Sequence, residues 1–366
     1  MSEAMPKTAE ETTPEWLNSV LGDSVTAGAQ VSSIEKTIIG EGAGFLGELA
    51  RLTLTYDREA NAAPSSLILK LPTQDEPVRN LAQLINVYER EIRFYEQIAN
   101  ELPLRTPKMY FSHLDAAKQE YVMLLEDLAP GRVGDQIATC SIEEAKTALR
   151  ALAGLHAAWW DSPRLKEFEW MPGLDDQLLV GLISMLYQQA WPTFVERYSD
   201  QVPAEILPIG EKFGQNLIEM AKETTAGPLT ITHADYRLDN MFFDLADGSP
   251  IAIIDWQLSQ RGPALGDVTY FIAGNLTVEA RREHETELLH VYHEALAQGG
   301  VKDYDYESCA EDYRKSALFL FMFVITNLED LNFEDYNDRA QELMETLLER
   351  HVTAILDLNA AEFLPE

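Results

Sequence analysis

Thr232 to Asn240 read THADYRLDN and put His233, Asp235, Arg237, Asp239 and Asn240 into one short stretch. A carboxylate such as Asp235 can take the proton of an attacking hydroxyl. An asparagine five positions on can hold a hard cation through its carbonyl oxygen. The stretch IAIIDWQ ends a run of apolar residues, 251 to 254, on Asp255. A carboxylate at the end of a buried strand is poorly placed for water and well placed for Mg²⁺. Taken alone, the polar stretch also suits a solvated loop, so the rest of the chain has to decide.

Two further features bear on the same chemistry. Lys70 sits among leucines in LILKLP, where an ammonium is costly to bury without a partner. Glu91, in REIRFYEQI, lies near the apolar stripe of a helical pattern and is a candidate partner. The alternative for Lys70 is an edge-strand lysine reaching to water. GAGFLG, with Gly42, Gly44 and Gly47, fits G-x-G-x-x-G. A strand pattern follows it rather than a helix, so it reads as a hairpin bend and not as a dinucleotide-binding turn. Such a bend lets backbone approach phosphates closely, or is simply a glycine-rich turn. No G-K-[ST] occurs in it, which excludes a Walker loop.

Together these residues fit phosphoryl transfer, which asks for positioning and charge neutralisation rather than a covalent nucleophile. His233, Asp235 and Asn240 have the spacing H-x-D-x-x-x-x-N of a kinase catalytic loop, with alanine at the second place. Asp255 fits the slot of the following metal-binding aspartate, here as Asp-Trp-Gln. The glycine bend, the lysine, the base and the two metal ligands occur in kinase order.

The elements that must position them follow from periodicity. After a short helix at Pro14 to Leu21, the strand patterns are Val31 to Ile39, a segment in which Leu52, Leu54 and Tyr56 share a face, and SSLILKLP. One helix is expected over Pro77 to Glu101, with Leu81, Leu84, Ile85, Tyr88, Ile92, Tyr95 and Ile98 as its stripe. KMYFSHLD and EYVMLLED give two more strands, and LAPGRVGD is a Pro/Gly-rich connector. Ser141 and Glu144 form a capping box that opens a helix running to about Trp160. Helices are expected over Asp175 to Tyr198 and Pro203 to Thr224, then a β-rich island from Leu229 to Asp255, then helices to the end. The reading is α+β with a cleft between two lobes: residues 1–128, carrying an antiparallel sheet and one main helix, and a larger, mostly helical part over 129–366.

These residues resemble the aminoglycoside phosphotransferase-like kinases, and among them the ecdysteroid kinase-like and choline kinase-like branch. The resemblance rests on GEGAGFLGELARL, Lys70, EREIRFYEQI, VMLLEDLAPGRVGDQ, ALAGLHAAWWD, THADYRLDNMFFD and IAIIDWQLSQRGPALGDVTYF. It implies a protein-kinase-like fold, ATP and Mg²⁺ as cofactors, and a small-molecule hydroxyl acceptor. It implies Asp235 as base beside His233, Asn240 and Asp255 as magnesium ligands, and Lys70 with Glu91 as the phosphate-positioning pair. Gly42, Gly44 and Gly47 would cover the nucleotide, and Glu126 to Leu128 would form a hinge whose backbone meets adenine. Asp267 matches a position that looks structural in the family.

The composition excludes other classes. The 366 residues are 46% hydrophobic, and 61 acidic against 28 basic residues give a formal charge of −33. That surface repels nucleic acid and anionic membranes. Cys140 and Cys309 have no partner spacing, which fits a reducing compartment without structural zinc. No apolar leader is read in the first twenty-odd residues, and the run at Ala317 to Ile325 is too short to cross a bilayer. A cytoplasmic protein without membrane insertion is expected. His156 is expected as a satisfied helix histidine and Trp159–Trp160 as packing. A protein kinase is disfavoured because no A-P-E follows Asp255. A pseudokinase serving as an interaction module is disfavoured because base, lysine and ligands are all present. The apolar stretches LLVGLISMLYQQAW and LFLFMFVITNLEDLN favour a sterol-like or hydroxyacyl acceptor over an aminoglycoside or choline.

Overall fold

Alternation of side chains across one sheet organises the N-terminal part of the chain. The structure, a computed structural model, describes residues 5–39, 47–118, 120–329 and 338–365. It divides into two units. The first comprises Met1–Glu101, Thr106–Gly131 and Ile254–Gln257; the second comprises Leu102–Arg105, Arg132–Ile253 and Leu258–Glu366.

In the first unit, α1 (Pro14–Val20) and α2 (Asp23–Thr26) precede β1 (Val31–Ile39), β2 (Gly47–Tyr56) and β3 (Ser66–Pro72). Two helices, α3 (Glu76–Leu84) and α4 (Val87–Gln97), lead to β4 (Met109–Asp115) and β5 (Glu120–Glu126). The five strands form one antiparallel sheet in the order β1-β2-β3-β5-β4. On β3 the period of two puts Leu67, Leu69 and Leu71 on one face, all fully buried. They join Leu52, Leu54, Val122, Leu124 and the α1 residues Trp16 and Leu17 in a core. Each such leucine contributes about 1.5–3 kcal/mol of burial. The same period turns Lys70 to the opposite face.

The single helix expected over Pro77 to Glu101 is two helices. Asn86 takes a left-handed φ of 56° and stops the first after Ile85. Asparagine tolerates that conformation better than most residues, because its short polar side chain bonds locally. The second helix, α4, therefore sets its own face, burying Val87, Tyr88, Glu91, Ile92, Phe94 and Tyr95.

After Leu102–Arg105, the second unit continues with β6 (Arg132–Val133) and α5 (Ile142–Trp159). The capping box is formed as expected: the Glu144 amide donates to Ser141 Oγ at 3.2 Å, and the Ser141 amide to Glu144 Oε2 at 2.9 Å. Next come α6 (Gln177–Tyr198) and α7 (Ile206–Thr224), followed by the short strands β7 (Thr230–Thr232), β8 (Met241–Phe243), β9 (Ala252–Ile253) and β10 (Gln260–Gly262). β10 pairs with β7, and β6-β8-β9 form a second small sheet. The remaining helices are α8 (Leu265–Asn275), α9 (Val278–Gln298), α10 (Tyr306–Ser316), α11 (Leu320–Glu329) and α12 (Asp338–Asp357). α8 is buried along almost its whole length and packs against α5, α9, α10 and α12.

α6 has two unlike halves. Its second half packs tightly on α7, where a Cβ on Gly214 would lie 2.4 Å from the Tyr187 ring. In its first half, from Leu178 to Leu186, only Val180 is buried; Leu178 is 86% and Met185 48% exposed. Among the described residues α6 is the one helix long and apolar enough to cross a membrane by length and composition.

Candidate active site

In the first unit the lysine is not at a free edge. Its ammonium lies 2.7 Å from Glu91 Oε2 and 2.8 Å from Asp255 Oδ1, with the lysine 7% and the glutamate 1% exposed. Tyr121 on β5 donates to Glu91 Oε2 at 3.0 Å, and Gln257 Nε2 donates to Asp255 Oδ2 at 3.1 Å. Burial alone would lower the lysine pKa, but Asp255 and Glu91 hold it above the ordinary value. Burial pushes the Glu91 carboxyl up, against the opposing pull of Lys70. Asp255 adopts a left-handed φ of 63°. A non-glycine residue there is held at a cost of about 1–3 kcal/mol by its surroundings. The next residue, Trp256, is fully buried and stacks on Phe94 of α4 at 4.0 Å.

Gly47 opens β2 opposite Pro72, and a Cβ there would meet Leu71 O at 2.9 Å and Lys70 Cε at 3.8 Å. Only glycine lets the strand pass this close to the Leu71 carbonyl. Gly42 and Gly44 lie outside the described residues. Glu126 ends β5 and accepts from the Lys108 amide at 2.9 Å, while Leu128 is buried. Between them Asp127 accepts from Arg51 Nε at 2.6 Å and Ser66 Oγ at 2.8 Å. Burial would raise its pKa, but Arg51, Ser66 and the Ala129 amide hold it below the usual carboxylate range.

In the second unit the polar stretch forms a loop tied down at nearly every residue. Buried Asp267, in the first turn of α8, accepts the amides of His233 at 2.7 Å and Ala234 at 2.8 Å. These bonds secure Ala234 at a left-handed φ of 62°. The Asp235 amide donates to His233 Nδ1 at 3.2 Å, so His233 supports Asp235 rather than facing solvent; it is fully buried. Asp235 Oδ2 accepts from Asn240 Nδ2 at 2.9 Å and Arg237 Nε at 3.1 Å, and Oδ1 accepts from the Tyr270 hydroxyl at 3.3 Å. Asn275 accepts the Leu238 amide at 2.8 Å, and Tyr236 donates to the Ala148 carbonyl at 2.8 Å. Asp239 accepts from Arg339 Nη2 at 2.9 Å and from the Gln136 amide at 3.2 Å.

The sequence-based site residues thus fall into two groups. Gly47, Lys70, Glu91, Glu126, Leu128 and Asp255 belong to the first unit; His233, Asp235 and Asn240 belong to the second. The helix histidine His156 meets Tyr292 Oη at 2.9 Å and Asp267 at 3.5 Å. The contacts of Arg237, Tyr270 and Asp127 were not read from the sequence. For Tyr270 a signal exists: it lies three residues after Asp267 on a helical pattern, hence on the same face.

Asn240 in the second unit and Asp255 in the first each offer a hard oxygen donor. Asn240 commits its Nδ2 to Asp235, which leaves Oδ1 as its oxygen donor, and Asp255 is a carboxylate. Hard oxygen donors, one or two of them from the protein, are what Mg²⁺ takes when phosphates complete its shell. Among the described residues, no group of three or more His, Cys, Asp or Glu could hold a metal unaided.

The Asp267 bonds give a first expected outcome. Asp267→Asn keeps the volume but turns an amide toward two backbone donors. Stability should fall by about 3 kcal/mol, the scale of lost hydrogen bonds to a buried charge. Denaturant unfolding measures this, and a loss below about 1 kcal/mol would contradict the anchoring role.

Comparison with known proteins fits this geometry. Residues 41–306 match the model of the Ecdysteroid kinase-like family. The choline kinase of Cryptosporidium parvum Iowa II is 13% identical, over 95% of this chain and 92% of its own, with a TM-score of 0.55. The ethanolamine kinase of Plasmodium vivax is 15% identical, over 89% and 83%, with a TM-score of 0.54. The GDP complex of an aminoglycoside 2′-phosphotransferase IIIa mutant is 14% identical, over 90% and 93%, with a TM-score of 0.52. These likenesses establish a protein-kinase-like fold. "Probable acyl-CoA dehydrogenase IBR3" of Arabidopsis thaliana is 23% identical over 219 residues, 58% of this chain and 26% of that protein. The chain therefore spans about a quarter of the length of the curated relative it matches.

Proposed function

The chain belongs to the ecdysteroid kinase-like family of small-molecule kinases, and from that premise we propose that it moves the γ-phosphoryl group of ATP to a hydroxyl of an apolar small molecule, with Asp235 as base. The observation that carries the nucleotide part is the buried ammonium of Lys70 shared by Glu91 and Asp255. Such a group is fixed in place to neutralise phosphate charge. Asn240 and Asp255 would hold Mg²⁺, which supplies charge neutralisation on the phosphate oxygens. In the transfer, the acceptor oxygen bonds to the γ-phosphorus, the bond to the β-phosphate bridge breaks, and ADP leaves. The hydroxyl proton passes to the Asp235 carboxylate and then to solvent.

The apolar acceptor is supported by the first half of α6. Leu178, Leu179, Leu182, Ile183, Met185 and Leu186 are incompletely covered there. α6 packs on α11, and Phe323 of α11 stacks at 3.9 Å on Tyr270, whose hydroxyl reaches Asp235. Uncovered apolar side chains on a helix that packs on α11 favour a sterol-like or hydroxyacyl alcohol over a polycation. The relative named as an acyl-CoA dehydrogenase adds weight to a hydroxyacyl thioester.

The test is transfer of labelled γ-phosphate from Mg·ATP to a panel of a sterol, a hydroxyacyl thioester, choline, a sugar and an aminoglycoside. Labelling of the sterol or the thioester is expected. Labelling of the aminoglycoside or choline alone would overturn the apolar acceptor. Binding of ATP with no turnover at all, even with water as acceptor, would point to an interaction module.

A further inference from the structure

The base is touched by a residue outside its own loop. Tyr270 lies three positions after Asp267 on α8, so both project from one face of that helix. Asp267 takes the amides of His233 and Ala234, and the Tyr270 hydroxyl reaches the side chain of the very next residue, Asp235. Three consecutive loop residues are therefore fixed from one helical turn, two through backbone and one through its reacting group.

The tyrosine has little freedom to do anything else. It is 4% exposed, its ring stacks on Phe323 at 3.9 Å and 17°, and it meets His351 edge-on at 5.7 Å. Burial, reinforced by the nearby carboxylate, raises its pKa, so the hydroxyl keeps its proton and acts as a donor. Arg237 and Asn240 donate to the other carboxylate oxygen. With donors on both oxygens, rotation about the Asp235 Cβ–Cγ bond is blocked. In a reaction governed by alignment rather than by covalent chemistry, that orientation is worth rate.

We propose that Tyr270 is a positioning residue for phosphoryl transfer: its hydroxyl fixes the plane of the Asp235 carboxylate and, through it, the direction in which the acceptor hydroxyl is held. This rests on the reading of Asp235 as base. The residue acts through the Asp235 carboxylate rather than on the acceptor or the phosphate.

The probe is water, the smallest hydroxyl acceptor, with phosphate release from Mg·ATP followed in single turnover. Tyr270→Phe removes one oxygen and keeps the ring in its stack. It should lower the maximal rate about tenfold while the KM for ATP stays within about twofold, a split that a general loss of fold does not give. In an Asp235→Asn background the same substitution should cost nothing further, because the group it orients is gone. An unchanged rate in Tyr270→Phe, or an equal loss in both backgrounds, overturns the proposal while leaving Asp235 as base. A wild-type rate in Asp235→Asn alone overturns the base itself, and with it the role of Tyr270.

Discussion

Asp235→Asn is expected to leave a folded protein whose phosphoryl transfer is slower by about a thousandfold, the middle of the range for loss of a positioned general base. The substitution is isosteric, so Asn240, Arg237 and Tyr270 keep a side chain of the same shape to contact. What changes is the ability to take a proton and the charge beside Arg237. That guanidinium retains Asp239 at 3.7 Å as a second partner, so the loop should stay in place. A stability loss of about 1–3 kcal/mol is expected from the exchanged hydrogen bonds. Single-turnover transfer and thermal unfolding, run on the same preparation, separate the two effects. A variant retaining more than a tenth of the wild-type rate would show that another group takes the proton.

Lys70→Met should cost both stability and nucleotide binding. Methionine fills the space of the aliphatic stem but leaves Glu91 and Asp255 without the cation they share. Breaking a buried ion pair from one side costs ~3–5 kcal/mol, because the remaining charge stays desolvated. The sign of the pH dependence follows. Burial already raises the Glu91 pKa, and removing the lysine removes the strongest opposing pull. A carboxyl whose pKa is higher folded than unfolded binds its proton better in the folded state. The deficit of the variant should therefore shrink as pH falls through the folded-state value and be greatest well above it. Glu91→Gln in the same chain should recover part of the loss. Urea unfolding at several pH values measures this, and nucleotide binding by thermal shift should be lost throughout. A deficit that stays constant with pH and is not relieved by Glu91→Gln would mean that Glu91 remains uncharged with the lysine present.

Much of this arrangement was legible in the chain because it is local. The alternation in LILKLP fixes which face Lys70 takes, and the stripe through Tyr88, Ile92 and Tyr95 carries Glu91 with it. The spacing from His233 to Asn240 closes a loop on itself, and the S-x-x-E pattern opens α5 where it should. What escaped has a common cause. The break at Asn86 turns on one residue choosing a left-handed backbone, which a hydrophobic stripe does not register. The Asp127–Arg51 pair links residues far apart in sequence through strand pairing. The segment Ile254–Gln257, which carries Asp255, belongs with the sheet unit although the chain on both sides of the segment does not. Tyr270 reads as one more buried aromatic until the fold places its hydroxyl on a carboxylate. Gly42 and Gly44 fall outside the described residues.

The burial of α8 has a mechanical consequence. Asp267 and Tyr270 are two pins on one rod, and Arg350 grips the other end of that rod by donating to the Gly274 carbonyl at 2.9 Å. A helix so enclosed cannot bend locally without disturbing close-packed neighbours. It moves as a piece, and both pins move with it. A small translation of α8 along its axis would shift the His233–Ala234 backbone and the Asp235 carboxylate in the same direction at the same moment. The geometry around Asp235 thereby inherits the stiffness of the whole helical core, and a packing change on α9, α10 or α12 has a direct route to that carboxylate.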